Sequence, residues 1–481
     1  MLLKFLLQDI CFTEIYGSSE REVAAVEFDS RKVVNGALFV AQRGVAVDGH
    51  QFIDSAVAAG AGVVVCEQLP DVLHEGVTFV KVENSQIALG RLASAFYGNP
   101  SLKLKLVGVT GTNGKTTIAT LLYDLVVEMG WCAGLISTVE YRINGEVFPS
   151  THTTPDSVAL NRMMAQMVEA GCEYCFMEVS SHSLVQCRVE GLKFAGALFT
   201  NITHDHLDYH QTFSNYIAAK KMLFDSLDKG AFALVNVDDR NGEIMVQNCK
   251  AQIKRYSLQR PSDYRCKIIE EHFDGMQLQL DGRELWVRFV GRFNAHNLTA
   301  VYGAALELGF EPEQVALVLS RLHSVKGRME NYRSPKGITA IVDYAHTPDA
   351  LENVCNTINE LKREGQRLIV LVGCGGDRDR TKRPQMAKIA VANSDLAIFT
   401  SDNPRSERPE DILTDMESGV VDSDKKYLII TDRRQAIATA AALATAQDLI
   451  LIAGKGHETY QEICGVRHHF DDMEEIKNVL K

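Results

Sequence analysis

The chain has 481 residues, of which 46% are hydrophobic and 23% charged, with a net charge of −12. One hydrophobic core does not grow to that size, so about three domains are expected. The acidic balance, without any Lys/Arg stripe, excludes general nucleic-acid binding. No apolar run reaches the roughly 18 residues that span a bilayer, which excludes membrane insertion.

Met1–Leu7 is apolar but runs straight into Gln8 and Asp9, without a long h-region or a small-residue cleavage site. It reads as a folded amphipathic helix rather than a secretory leader. The eleven cysteines are odd in number and lie mostly in apolar runs, as small buried hydrophobes do in a reducing compartment. A cytoplasmic protein is expected. Cys172 and Cys175 form the one C-x-x-C, and without a second pair nearby zinc is a minor reading.

Residues 1–98 alternate short apolar runs (37–41, 62–66, 78–82) with helical patterns at 51–59 and 86–97. They read as a small α/β domain, with Tyr97-Gly98-Asn99-Pro100 as its exit. A second domain is expected over 99–330. Its apolar strands at 132–136, 174–179, 196–200 and 231–236 suit a parallel sheet covered by helices. Alternation over 266–290 around Asp281-Gly282 predicts an antiparallel hairpin beside that sheet. A third domain over 331–481, with its first strand just after Gly337, shows strands at 339–343, 367–373, 396–400, 427–431 and 448–453, and helices at 350–363 and 433–446. That is the doubly wound pattern, in which ligands sit at the carboxyl ends of strands. The fold class is α/β in three domains.

Between a predicted strand and a predicted helix (118–129) lies Gly111-Thr112-Asn113-Gly114-Lys115-Thr116-Thr117. Such a turn aims backbone N–H groups and a helix N-terminus at an anion, Lys115 adds a full charge, and Thr116 offers a hydroxyl to the metal that accompanies a nucleoside triphosphate. Valine at 109 breaks the common G-x-x-x-x-G-K-[ST] spacing, yet the Lys-Thr-Thr tail still points to ATP or a close relative.

Glu178 ends a buried strand, where a carboxylate is either hydrogen-bonded or on a metal; beside Thr116 its oxygens suit magnesium. The segment Asn201–His210 holds His204, His206 and His210 with Asp205 and Asp208. Zinc is one reading; a second magnesium position touched by His206, with His204 and His210 structural, is preferred. Lys220 and Lys221 lie on a helix, where lysines are ordinarily solvated. Arg328 reads equally as a phosphate clamp at a domain boundary or as a surface salt bridge. Gly373–Arg383 mixes a glycine-rich turn with Arg378, Arg380, Lys382 and Arg383, a candidate second anion site. Asp402-Asn403-Pro404-Arg405 presents a guanidinium suited to bidentate carboxylate binding.

These motifs resemble those of the Mur ligases over nearly the whole chain: 29–33, 48–50, 111–117, 178–182, 201–210, Lys220, 294–297, Arg328, 343–348 and 454–458. Asp402–Arg405 resembles the signature of members that add meso-2,6-diaminopimelate. The resemblance implies a UDP-binding domain, a central ATPase domain and a Rossmann-like C-terminal domain. It implies an ATP- and Mg2+-dependent ligase that adds diaminopimelate to UDP-N-acetylmuramoyl-L-alanyl-D-glutamate through an acyl phosphate, in peptidoglycan precursor synthesis. A monomer is expected. By motif position Ser30 would meet the uridine end, and Thr153, Thr154, Ser180, Gln186 and Arg188 the muramoyl-dipeptide. Lys220 matches a lysine carried as a carbamate, a magnesium ligand with Thr116, Glu178 and His206. Asn297, Arg328, Asp343 and His346 match positions around the nucleotide. Arg378, Asp402, Asn403, Pro404, Arg405, Gly454 and Glu458 would form the amino-acid pocket. An arginine fork suits the far carboxylate of diaminopimelate and repels the terminal ammonium of lysine. A lysine-adding ligase is the alternative, a folate-polyglutamating ligase is more distant, and a nucleotide-switched scaffold of cell-wall assembly is the rival from another class.

Overall fold

The structure is a computed structural model that describes the chain except residues 45, 46, 204 and 425 and the side chain of Asp208. Three large sheets carry it. The first has five strands in the order Phe12–Tyr16, Thr78–Val82, Val63–Cys66, Leu38–Val40, Val26–Glu27, parallel except for the first. The predicted strands are there, but the expected N-terminal helix shrinks to Leu3–Leu6, and a 3-10 turn, Gly49–Phe52, precedes the helix Ile53–Ala58.

The second sheet has eleven strands around a parallel centre: Gln252–Ser257, Phe232–Asn236, Gly196–Phe199, Lys105–Thr110, Tyr174–Glu178 and Ala133–Ile136. Most of these strands are covered on both faces, so they read as continuous apolar runs rather than alternating ones. Two antiparallel additions widen the sheet. Glu140–Ile143 and Glu146–Pro149 extend one edge. At the other, the segment expected to form a hairpin is a three-stranded meander, Tyr264–His272, Gly275–Leu280 and Arg283–Val287, whose first strand pairs in parallel with Gln252–Ser257. It continues the sheet instead of standing beside it.

The third sheet runs Glu330–Arg333, Thr339–Asp343, Leu449–Ala453, Leu368–Val372, Leu396–Phe399, Tyr427–Ile429, parallel except for its first strand. Leu368–Val372 and Leu449–Ala453 are fully buried, as strands between helical layers must be.

Strand order positions the chemistry. Lys105–Thr110 lies between Tyr174–Glu178 and Gly196–Phe199, with Glu178 in register with Val109 and Phe199 with Thr110. The segments that leave all three strands therefore emerge together around the phosphate loop. In the third sheet, the segments after Asp343, Val372, Phe399 and Ala453 likewise gather at one carboxyl edge. Among the described residues no helix is long and apolar enough to cross a membrane.

Candidate active site

The phosphate loop is braced by its neighbours. Thr112 N donates to the Asn201 carbonyl (2.8 Å), Asn113 N donates to Asn201 Oδ1 (3.0 Å), and Thr200 Oγ1 donates to the Asn113 carbonyl (2.6 Å). Gly114 caps the helix Lys115–Glu128 at φ +88°, and a Cβ there would stand 2.6 Å from Asn297 Oδ1. Glycine is required on both counts. Lys115 Nζ folds back onto the carbonyls of Gly111 and Thr112 at 2.9 and 2.8 Å.

The helix Phe213–Asp225 corrects the solvated reading of Lys220. Lys221 pairs with Asp225 near the surface, whereas Lys220 is buried, with Nζ 2.8 Å from the Gly111 carbonyl and 4.6 Å from the Tyr216 ring centre. Burial, reinforced by Lys115, drives its pKa well below the ordinary lysine value. Glu178 is buried too; its Oε1 accepts from Thr138 N (2.7 Å), and no described lysine or arginine pairs with it. A buried carboxylate and the Thr116 hydroxyl on one cavity wall are hard oxygen groups of the kind a divalent cation takes. His206 sits at φ +54° beside Asp205 (3.4 Å) and edge-on to His182, and burial lowers its pKa.

Arg328 is no surface salt bridge. Its Nη2 donates to Thr116 Oγ1 (3.1 Å), its guanidinium lies 4.6 Å from the Tyr344 ring centre, and its buried Nε has no partner among the described residues. Nearby, burial raises the Asp343 carboxyl to about 6 and lowers His346 to about 4.

At the edge of the third sheet, Asn403 Nδ2 donates to Glu458 Oε2 (2.7 Å), and the fully buried Lys455 reaches Asn403 Oδ1 (3.2 Å) and Glu458 (3.0 Å). Arg405, at φ +52°, donates from Nη1 to the Gly376 carbonyl (2.6 Å). Arg383, expected among the anion-binding cations, is instead enclosed and paired with Glu407 and Asp415 at 2.8 Å, and Arg380 pairs with Asp415.

One cavity of about 750 Å³ joins these parts, from Thr112–Thr117 through Glu178, Lys220 and Arg328 to Asp402, Arg405 and Glu458. Five cations line it, Lys115, Arg328, Arg378, Lys382 and Arg405, together with the Lys220 amine. None forms an ion pair with a described residue, although 62 acidic residues outnumber 50 lysines and arginines in the chain. Carboxylates line it too, Glu178, Asp205, Asp343, Asp402 and Glu458 among them, so anionic ligand groups are called for at the unpaired cations and not along the whole cavity. Thr153, Ser180, His206, Asn297, Asp343, His346, Asn403 and Gly454 also line it.

Gly111, Thr154, Gln186, Arg188 and Pro404 do not line the cavity but adjoin it. Arg188 donates to Gln186 Oε1 (2.6 Å) and the Thr154 carbonyl (2.7 Å), and Thr154 Oγ1 donates to the Glu178 carbonyl (2.9 Å). Ser30, on the turn Ser30–Lys32 of the first sheet's unit, stands apart from it. His210 donates to or accepts from Ser181 Oγ (2.9 Å), in keeping with a structural role, while His204 lies outside the described residues. Among the described residues no cluster of three or more His, Cys, Asp or Glu is arranged to hold a metal; His204 and the Asp208 side chain fall outside them. Sequence reasoning passed over Thr138, Asp349 and Lys455. Asp349 Oδ2, in the first turn of the helix Pro348–Leu361, accepts from Asn113 Nδ2 (3.0 Å), a contact across 236 residues that no local spacing reveals.

These are the fold and cavity of a nucleotide-using α/β enzyme. Family models match in three blocks: the Mur ligase family, catalytic domain, over 22–97; the Mur ligase middle domain over 109–305; and the Mur ligase, glutamate ligase domain, over 327–456. The chain belongs to the Mur ligase family, ATP-dependent ligases of peptidoglycan precursor synthesis. A Phocaeicola vulgatus protein named UDP-N-acetylmuramoyl-L-alanyl-D-glutamate--2,6-diaminopimelate ligase is 53% identical over 481 residues, 100% of this chain and 99% of that one. A Parabacteroides distasonis protein of the same name is 56% identical over 467 residues, 97% and 96% of the two chains. A solved structure described by that name has a TM-score of 0.69 at 33% identity, covering 97% of both chains. The MurF ligase from Thermotoga maritima in complex with ADP has a TM-score of 0.63 at 19% identity over 95% and 96%, a likeness of fold alone.

Proposed function

We propose that this enzyme joins meso-2,6-diaminopimelate to UDP-N-acetylmuramoyl-L-alanyl-D-glutamate with ATP as the phosphoryl donor. The observation that carries the reading is the single cavity holding both the phosphate loop and the Arg405 pocket, lined by five cations without ion-pair partners. The side-chain carboxylate of the D-glutamate attacks the γ-phosphorus, an O–P bond forms, and ADP leaves. The diaminopimelate amine then attacks the acyl carbon, phosphate leaves, and the nitrogen loses a proton as the amide forms. Lys115 and Arg328 hold and neutralise the transferring group.

Thr116, Glu178, His206 and a carbamylated Lys220 would hold magnesium, which supplies charge neutralisation on the phosphates. Asn297, Asp343 and His346 face the nucleotide. Thr153 and Ser180, with Thr154, Gln186 and Arg188 behind them, hold the muramoyl-dipeptide, and Ser30 the uridine end. Arg378, Asp402, Asn403, Arg405, Gly454 and Glu458 take the amino acid, with Pro404 shaping the turn. The domains span 1–98, 99–330 and 331–481. Eleven free cysteines support a cytoplasmic setting, and the enzyme acts as a monomer.

The lysine-adding alternative gains nothing from relatives named for diaminopimelate, and a scaffold has no use for this cavity. Purified protein should release phosphate only when ATP, the UDP-dipeptide and diaminopimelate are all present. Release that ignores the amino acid would refute the coupling.

A further inference from the structure

The amino-acid pocket is built on two loop starts, Asp402-Asn403 after Ser401 and Gly454 after Ala453. They abut closely. A Cβ on Gly454, at φ +115°, would stand 2.6 Å from Asp402 Oδ2, and Asn403 reaches across to Glu458 at 2.7 Å. A shift of either loop therefore changes the spacing of every group in the pocket.

Arg433, the first residue of the helix Arg433–Leu443, lies behind both loops and outside the cavity lining. Its Nη2 donates to the Ala453 carbonyl (3.1 Å) and its Nη1 to the Ser401 carbonyl (3.5 Å). Nε and Nη2 each donate at 2.7 Å to the two carboxylate oxygens of Asp472, the first residue of the last helix, Asp472–Val479. Both side chains are fully enclosed.

Enclosing an ion pair is a poor route to stability, because desolvation offsets most of the attraction and apolar residues of like volume often serve as well. What apolar residues cannot do is hold two carbonyls, one at the end of a strand and one just past the end of another, at a fixed spacing. A guanidinium does this with a rigid fork, and an ammonium does not. We propose that Arg433, oriented by Asp472, is a positioning residue for the amino-acid acceptor. It fixes the Asp402-Asn403 loop against the Gly454–Glu458 loop without touching substrate. The proposal rests on the functional reading above.

The test is steady-state kinetics of Arg433→Lys and of the paired Arg433→Met/Asp472→Leu variant, with the KM of each substrate varied separately and thermal melting followed alongside. For both variants KM for diaminopimelate should rise about tenfold or more, the scale of a sub-ångström to ångström misplacement. KM for ATP and for the UDP-dipeptide should stay near wild type. An unchanged KM for diaminopimelate in a folded variant would make the pair purely structural. A parallel rise in all three KM values would mean general loosening, and either result overturns the proposal. If the paired variant fails to fold, Arg433→Lys, which keeps the charge and loses the fork, decides alone. Wild-type enzyme that does not turn over diaminopimelate would sink the functional reading instead, which the same plate of assays reveals first.

Discussion

Arg328 Nη2 lies 3.1 Å from Thr116 Oγ1, so a side chain 212 residues downstream caps the first turn of the phosphate-loop helix. Its Nε is buried without a partner among the described residues, a cost of about 1–3 kcal/mol unless a ligand oxygen meets it. In the role proposed for it, aimed at a transferring phosphoryl group, it would act where charge develops. Arg328→Ala should lower kcat about 10³-fold while changing KM for diaminopimelate little, as loss of an arginine that stabilises the transition state does. Phosphate release measured at saturating substrates decides this. A variant within threefold of wild type would leave Arg328 as a packing residue.

Lys220 is a second side chain whose setting only the fold explains, buried with Nζ on the Gly111 carbonyl. Burial holds this amine well below its ordinary pKa, which enlarges the share of the uncharged form, the form that adds carbon dioxide. Protein equilibrated with ¹³C-bicarbonate should show a carbamate carbon resonance that is missing from Lys220→Ala. The variant should lose activity by ~10² or more, comparable to removing one preorganised charge-stabilising group. An active Lys220→Ala enzyme without any carbamate signal would remove Lys220 from the metal site.

Much of this site was legible before the structure. Phosphate loop, strand-end acid and third-sheet loops all sit where an apolar run meets a polar, glycine-bearing turn, and that junction is local. Lys220 was legible only through family resemblance: beside Lys221 on one helix, nothing in the spacing says which lysine turns inward. The Arg433–Asp472 pair was invisible because its members are 39 residues apart and the sheet brings them together. The strand Glu146–Pro149 escaped notice because all four of its residues are exposed, leaving no apolar alternation to read. Tyr264–His272 was read as one arm of a hairpin since its alternation matches that pattern equally well; its parallel pairing with Gln252–Ser257 is a non-local fact.

Glu407 gives a pH prediction with a defined sign. Hydrogen bonds from the enclosed Arg383 (2.8 and 2.9 Å), then from Asp377 N (2.6 Å), hold its carboxyl from an ordinary 4.5 down to about 2. A lowered acid contributes stability above its unfolded pKa and loses it as pH falls toward the folded value. Glu407→Gln should therefore cost about 2 kcal/mol at pH 7, the scale of charge-assisted hydrogen bonds. The gap to wild type should narrow steadily below pH 4.5. Urea midpoints at pH 7, 5 and 3 test it, and a gap that stays constant would assign the stability to shape rather than charge.

In the proposed function Arg405 carries the choice of amino acid. Its backbone is pinned at φ +52° by two bonds to the strand Tyr460–Ile463 and the turn after it: Arg405 N donates to the Glu462 carbonyl (3.0 Å), and Cys464 N donates to the Arg405 carbonyl (2.7 Å). Alanine bears a similar left-handed strain, so Arg405→Ala removes the guanidinium without relaxing the turn. Diaminopimelate ends in a carboxylate that this fork would bind; lysine ends in an ammonium that it repels. The variant should lose about 10²-fold in kcat/KM for diaminopimelate, the scale of an unmade charged pair. Its kcat/KM for lysine should hold or rise, because the repulsion is gone. Parallel assays with the two amino acids measure the ratio directly. A ratio unchanged from wild type would move acceptor choice away from Arg405, to Arg378 or the Asn403–Glu458 pair.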